Sequence, residues 1–117
     1  MSLKRIQVGD RMSQAVIHNG TVTTAGQVAL GAPDAPAKEQ TENILAAIDK
    51  LLAEAGTDKT KAMSATIWLS NMDDFAAMNE VWDAWVSPGN TPTRACVESK
   101  LAAPQFSVEI AIVAAIE

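Results

Sequence analysis

The chain has 117 residues, 48% of them hydrophobic, and a formal net charge of −5. That composition makes one domain over residues 1–117 with a single core, and it excludes a disordered chain. The acidity does not suit a phosphate backbone, and no apolar run approaches the ~20 residues of a membrane helix, so neither nucleic acid nor membrane is an expected partner.

The opening Met-Ser-Leu-Lys-Arg-Ile-Gln-Val lacks the apolar centre of a signal peptide, which makes the cytoplasm the expected compartment. Ile6 to Val8 reads as a short first strand, closed by the turn signal Gly9-Asp10. Met12 to His18 is a second strand. Asn19-Gly20 after it is the strongest hairpin signal in the chain, because both central residues of a type I′ turn need positive φ. Thr21 to Ala25, rich in β-branched residues, is the return strand. Gly26 ends it, either as a plain terminator or as a place where a ligand or another backbone comes close. Val28 to Ala35 reads mostly as loop.

A helix is predicted from Asp34 or Ala35, with Pro36 tolerated in its first turn. Ala37, Thr41, Ile44, Ile48, Leu51 and Ala55 recur at helical spacing and form its apolar face, and Gly56 stops it. Ala62 to Ser70 is the next strand, with Met63, Ala65, Ile67 and Leu69 on one face. Asn71 is placed to cap a second helix, with Asp73 and Asp74 in its first turn. Phe75, Met78, Trp82 and Trp85 form its stripe. Such a stripe can line a pocket, but its ordinary use is packing on a sheet. Pro92 to Ser99 and Val108 to Val113 complete a β-β-β-α-β-α-β-β order. This is an α+β domain, a mixed sheet with two helices on one face.

One cysteine, Cys96, and one histidine, His18, are too few for an intrachain disulfide or a structural zinc site. His18 sits at a turn edge. Chemistry is sought instead in Arg94, Cys96 and Glu109, with Gly26 and Asn79 behind them. Arg94 offers a planar fork for a small carboxylate, or else a structural ion pair with Glu109 or Glu98. Cys96 has the alternative role of a small buried hydrophobe. Glu109 is a carboxylate in a strand that is otherwise apolar on both faces, which is costly unless it has a purpose. Period-2 reading places Arg94, Cys96, Glu109, Ala111 and Val113 on the face away from the helices, and a second subunit is expected to cover that face.

Pro-Thr-Arg-Ala-Cys-Val-Glu, then Leu101, Pro104 and Val-Glu-Ile, resembles the C-terminal signature of the RidA (YjgF) family. Ser13-Gln-Ala-Val, Ala25-Gly-Gln and Phe75-Ala-Ala-Met-Asn79 extend the likeness over essentially the whole chain, nearest to the short YoaB-like branch. The resemblance implies a chorismate-mutase-like fold, a homotrimer with clefts between subunits, and no metal or organic cofactor. It implies hydrolysis of 2-imino or enamine acids to 2-keto acids and ammonia. Arg94 would hold the substrate carboxylate, and Glu109 would orient water as acid/base. Cys96, Gly26, Ala25, Met12 and Asn79 would line the site. Arg94, Cys96 and Glu109 are expected from one subunit, and the segment around Met12 and Gly26 from its neighbour. Met12 stands where the family has a tyrosine and Ala25 where it has a serine, which makes the pocket drier. The alternative is a non-catalytic module that binds small carboxylates in the same cleft; a holdase-like role is a third.

Overall fold

The computed structural model describes residues 2–117. Seven strands and two helices follow one another: β1 (Lys4–Val8), β2 (Ser13–His18), β3 (Thr21–Thr24), β4 (Gln27–Val28), α1 (Ala37–Glu54), β5 (Ala62–Leu69), α2 (Phe75–Trp85), β6 (Thr93–Glu98) and β7 (Val108–Ala115). All strands join one sheet in the order β1-β2-β3-β7-β5-β6, with β4 also paired to β7. Every pairing is antiparallel except β5 with β6. A parallel pair needs a crossover, and α2 supplies it.

Asn19 and Gly20 both have positive φ, at 52° and 73°, as the hairpin signal requires. All six residues of the predicted α1 face are buried. They meet Val22, Ala65, Ile67, Leu69, Val108, Ile110 and Ile112 in one core between the helices and the sheet. The α1 start differs from the prediction. Asp34 has φ 63°, outside the helical region, so the helix begins at Ala37 with Pro36 as its cap residue. Asn71 caps a 3-10 turn over Met72–Asp74, and α2 follows directly from that turn.

Two bulges adjust the sheet. The β5·β7 register shifts between Ala62 and Ser64, and the extra residue, Met63, is turned out to 51% exposure instead of joining the core face. The second bulge splits the predicted third strand. Thr23 pairs with Val113 and Gln27 with Ile110, so Thr24, Ala25 and Gly26 stand opposite only Ala111 and Ile112. The Ile112 N–H is satisfied by Thr24 Oγ1 at 3.0 Å. The segment expected to be loop from Val28 thus begins as the two-residue strand β4.

Gln40 is fully buried and fully bonded. Its amide donates to the carbonyls of Ala35 (2.9 Å) and Gln105 (3.1 Å), and its oxygen accepts from the Ser107 N–H at 2.9 Å. It ties α1 to the connection that delivers β7, two residues before Glu109. Gln40→Leu leaves the part-buried Ala35 carbonyl and Ser107 N–H without these partners, while the Gln105 carbonyl keeps the Asp34 N–H at 2.9 Å, and a loss of about 2–4 kcal/mol of stability is expected. Urea unfolding checks this through a lower midpoint at unchanged slope.

Candidate functional site

The parallel pairing of β6 with β5 decides which way the arginine points. Arg94 stands beside Ala65, Cys96 beside Ile67 and Glu98 beside Leu69, and those three partners are buried under the helices. Cross-strand neighbours share a face, so Arg94, Cys96 and Glu98 lie on the helix side. Their contacts agree. Arg94 Nη1 donates to Asn79 Oδ1 on α2 at 2.7 Å, and Glu98 accepts from the Met72 N–H at 2.8 Å. The guanidinium carbon lies 5.7 Å from the Phe75 ring centre and 5.6 Å from that of Trp82. Cys96 packs partly buried against the core. Burial pushes its thiol pKa up and nearby Arg94 pulls it partly back. That environment suits a small apolar side chain better than a thiolate nucleophile.

Glu109 lies on the other side of the sheet. Buried and half-buried residues alternate strictly along β7, with Val108, Ile110, Ile112 and Ala114 toward the helices and Glu109, Ala111 and Val113 away from them. The expectation that Arg94 and Cys96 share a face with Glu109 is therefore corrected: within one chain they stand on opposite faces of the sheet.

The neighbours of Glu109 can be read from the register. Val28, Glu109, Trp68 and Val97 form one row across β4, β7, β5 and β6. Its two cross-strand neighbours, Val28 and Trp68, are apolar, and burial raises its pKa above the ordinary value. The bulge at Ala25 and Gly26 lets the side chain lie over Gly26. A Cβ on Gly26 would run into the Glu109 carboxyl oxygen Oε2 and lie 2.9 Å from Cδ. Gly26 is therefore a place of close approach, not a plain terminator. Ala25 donates its N–H to the Gln14 carbonyl at 2.8 Å, which holds the bulge against β2. Gln14 and Met12 line the hollow at the preceding turn, and Met12 is 52% exposed.

The site residues named from sequence thus fall into two groups. Arg94, Asn79 and Cys96 make a cationic group under α2. Glu109, Gly26 and Ala25, with Met12 reached through Gln14, make an acidic group on the open face. Phe75, Trp82 and Trp68 belong to these groups and were not singled out as site residues. The signal for the first two was present: residues 75, 79 and 82 are spaced i, i+4, i+7 on one helix face. Among the described residues, no cluster of three His, Cys, Asp or Glu side chains could hold a metal ion. No described helix is long and apolar enough to cross a membrane.

Two helices on one face of a mixed sheet, with a basic group at the sheet edge and an acidic one on the open face, define an α+β protein of YjgF fold. Its relatives make the family explicit. The family model described as "Endoribonuclease L-PSP" matches residues 2–116. A RutC family protein of Haemophilus ducreyi is 46% identical over 114 residues, 97% of each chain. The RutC family protein YoaB of Escherichia coli is 45% identical over 119 residues, covering 99% of this chain and 100% of its own. A crystal structure of a YjgF family member from Neisseria meningitidis has a TM-score of 0.96 at 45% identity, covering 100% of this chain and 97% of that one. The chain belongs to the YjgF/RidA family, in its YoaB-like branch.

Proposed function

We propose that the protein hydrolyses reactive 2-imino acids to 2-keto acids and ammonia, in clefts where the two groups meet across copies of the chain in a homotrimer. The carrying observation is the opposite placement of Arg94 and Glu109. With Arg94 read as the carboxylate clamp and Glu109 as the acid/base, one chain holds the two on opposite faces of its sheet, which supports a site that draws them from two copies. A second copy whose Glu109 face lies against the Arg94 edge completes the site. The open face, with half-buried Ala111, Val113 and Trp68 and exposed Val97, supplies the need for that copy. The number three follows the family resemblance.

In this reading Arg94 takes the substrate carboxylate with its remaining N–H groups. Glu109 takes a proton from water as the oxygen adds to the imine carbon, then returns a proton to nitrogen. The carbinolamine so formed gives its hydroxyl proton to Glu109, which passes it to the amino nitrogen as the carbon–nitrogen bond breaks; ammonia leaves and the carbonyl of the keto acid remains. A carboxyl whose pKa burial has raised is suited to accept and hold that proton. The net charge of −5 does not suit a polyanionic RNA substrate, despite the wording of the family description.

The test is keto-acid release from imino acids generated in situ, across several side-chain sizes. Release well above the uncatalysed background is expected. Release at background, with pyruvate binding that still depends on Arg94, would support the non-catalytic carboxylate-binding module instead. A second variant probes the acidic group. Gly26→Ala displaces the flexible end of Glu109 rather than the backbone, so the fold should survive. A shift of about 1 Å in a catalytic group costs on the order of 10²-fold in rate. Wild-type turnover in Gly26→Ala would mean that the observed seat of Glu109 is not the working one.

A further inference from the structure

We infer that Trp82 is a positioning residue for the carboxylate clamp, acting with Phe75 and Asn79 to set the plane of the Arg94 guanidinium before any ligand arrives; this rests on the reading of Arg94 as the anchor. Arg94 is an exposed side chain on an edge strand, where a guanidinium is ordinarily free to sample many rotamers. Here three residues on one face of α2 restrain it. Asn79 takes one N–H at 2.7 Å. The rings of Phe75 and Trp82 lie 5.7 and 5.6 Å from the guanidinium carbon, inside the range of cation–π attraction. Asn79 accepts only one of the five N–H donors, so the rest of the fork is left for a carboxylate.

The two rings have different standing. Phe75 is 39% exposed, whereas Trp82 is 5% exposed and braced from behind. The Trp85 ring lies 5.3 Å from Trp82 at 41°, and the Trp85 indole N–H donates to Asp49 Oδ1 on α1 at 3.0 Å. The orientation of the clamp is thereby referred through two indoles to the helix layer, not to the edge strand alone. A tryptophan needed only for volume would not require its face toward the arginine. A positioning role depends on that face, and phenylalanine can supply it in part where leucine cannot.

The experiment compares Trp82→Phe, Trp82→Leu and Phe75→Leu with wild type in two measurements. The first is made without ligand: 15N relaxation and ring-current shift at the Arg94 side-chain Nε–H. The wild type and Trp82→Phe should show an ordered, ring-shifted Nε–H, and Trp82→Leu a mobile, unshifted one. The second is pyruvate binding together with steady-state hydrolysis. Trp82→Leu should weaken binding about tenfold and raise KM by a similar factor with kcat little changed, and Trp82→Phe should restore most of it. Phe75→Leu, at a more exposed position, should move both measurements the same way by less, and it decides the matter if Trp82→Leu does not fold. An Arg94 Nε–H equally ordered in folded Trp82→Leu and in wild type overturns the inference, as does a loss in Trp82→Phe equal to that in Trp82→Leu. Wild-type protein that fails to bind pyruvate would overturn the anchor reading instead, and the ligand-free measurement would still decide whether Trp82 orders the arginine.

Discussion

Glu109→Gln should slow imine hydrolysis by about 10²–10⁴-fold with the fold intact, the range typical of a lost general acid–base group. Glutamine keeps the shape and a hydrogen-bonding amide but cannot accept the proton. Stability should move the other way. Burial raises the Glu109 pKa above its ordinary 4.5, so the folded chain holds this proton more tightly than the unfolded one. Below 4.5 both states are protonated and the residue costs nothing. As pH rises through the raised folded value, ionisation in the apolar row costs stability. The glutamine variant escapes it. It should therefore melt no lower than wild type at pH 7, and its advantage should shrink as the pH is lowered toward 4.5. A purely structural ion pair between copies predicts the reverse pattern: a lower melting temperature and an unchanged rate. Turnover and a melting curve on one purified variant separate the two.

Arg94→Lys should cost nearly as much at the binding step. A lysine keeps the charge but offers one compact ammonium, which cannot donate to Asn79 and also present a planar pair of N–H groups. It loses the guanidinium's approach to the Phe75 and Trp82 rings as well. Truncating a charge-assisted contact of this kind costs about 2–5 kcal/mol, so binding of a small 2-keto acid should weaken by that amount. The fold should be unaffected, because the side chain is exposed at the edge of the sheet. Titration with pyruvate measures it, and wild-type affinity in the lysine variant would remove Arg94 from the anchor role.

Where burial is decided within an element, the sequence carried the structure. The α1 stripe has a large, unambiguous apolar period, and each of its residues went inside. Asn19-Gly20 specified its turn because few other residue pairs adopt two consecutive positive φ values. β7 alternates apolar residues on both faces, which marks a central strand, and it is central. The sign of β6 was not legible. Arg94, Cys96 and Glu98 alternate with Ala95, Val97 and Ser99, and neither set is apolar enough to declare itself the inner one. Only the register against β5 sets which faces the helices, and register is a property of two strands. The bulges at Met63 and at Thr24 to Gly26 are invisible for the same reason: an extra residue exists only relative to a partner strand. Arg94, Cys96, Glu109, Gly26 and Asn79 stood out as residues, and the resemblance supplied their roles and added Ala25 and Met12. How they divide into two groups could be read only from the sheet.

That division is tested most directly by mixing two inactive proteins. Arg94→Ala keeps Glu109, and Glu109→Gln keeps Arg94. Each alone should be nearly inactive. If every site takes its arginine from one copy and its glutamate from the next, each mixed trimer regains one whole site. Unfolding an equimolar mixture and refolding it together should then restore roughly a quarter of wild-type activity, the share of whole sites in randomly assembled trimers. Refolding the two variants separately before mixing should restore none. A co-refolded mixture no more active than its separate components would contradict a site shared between copies.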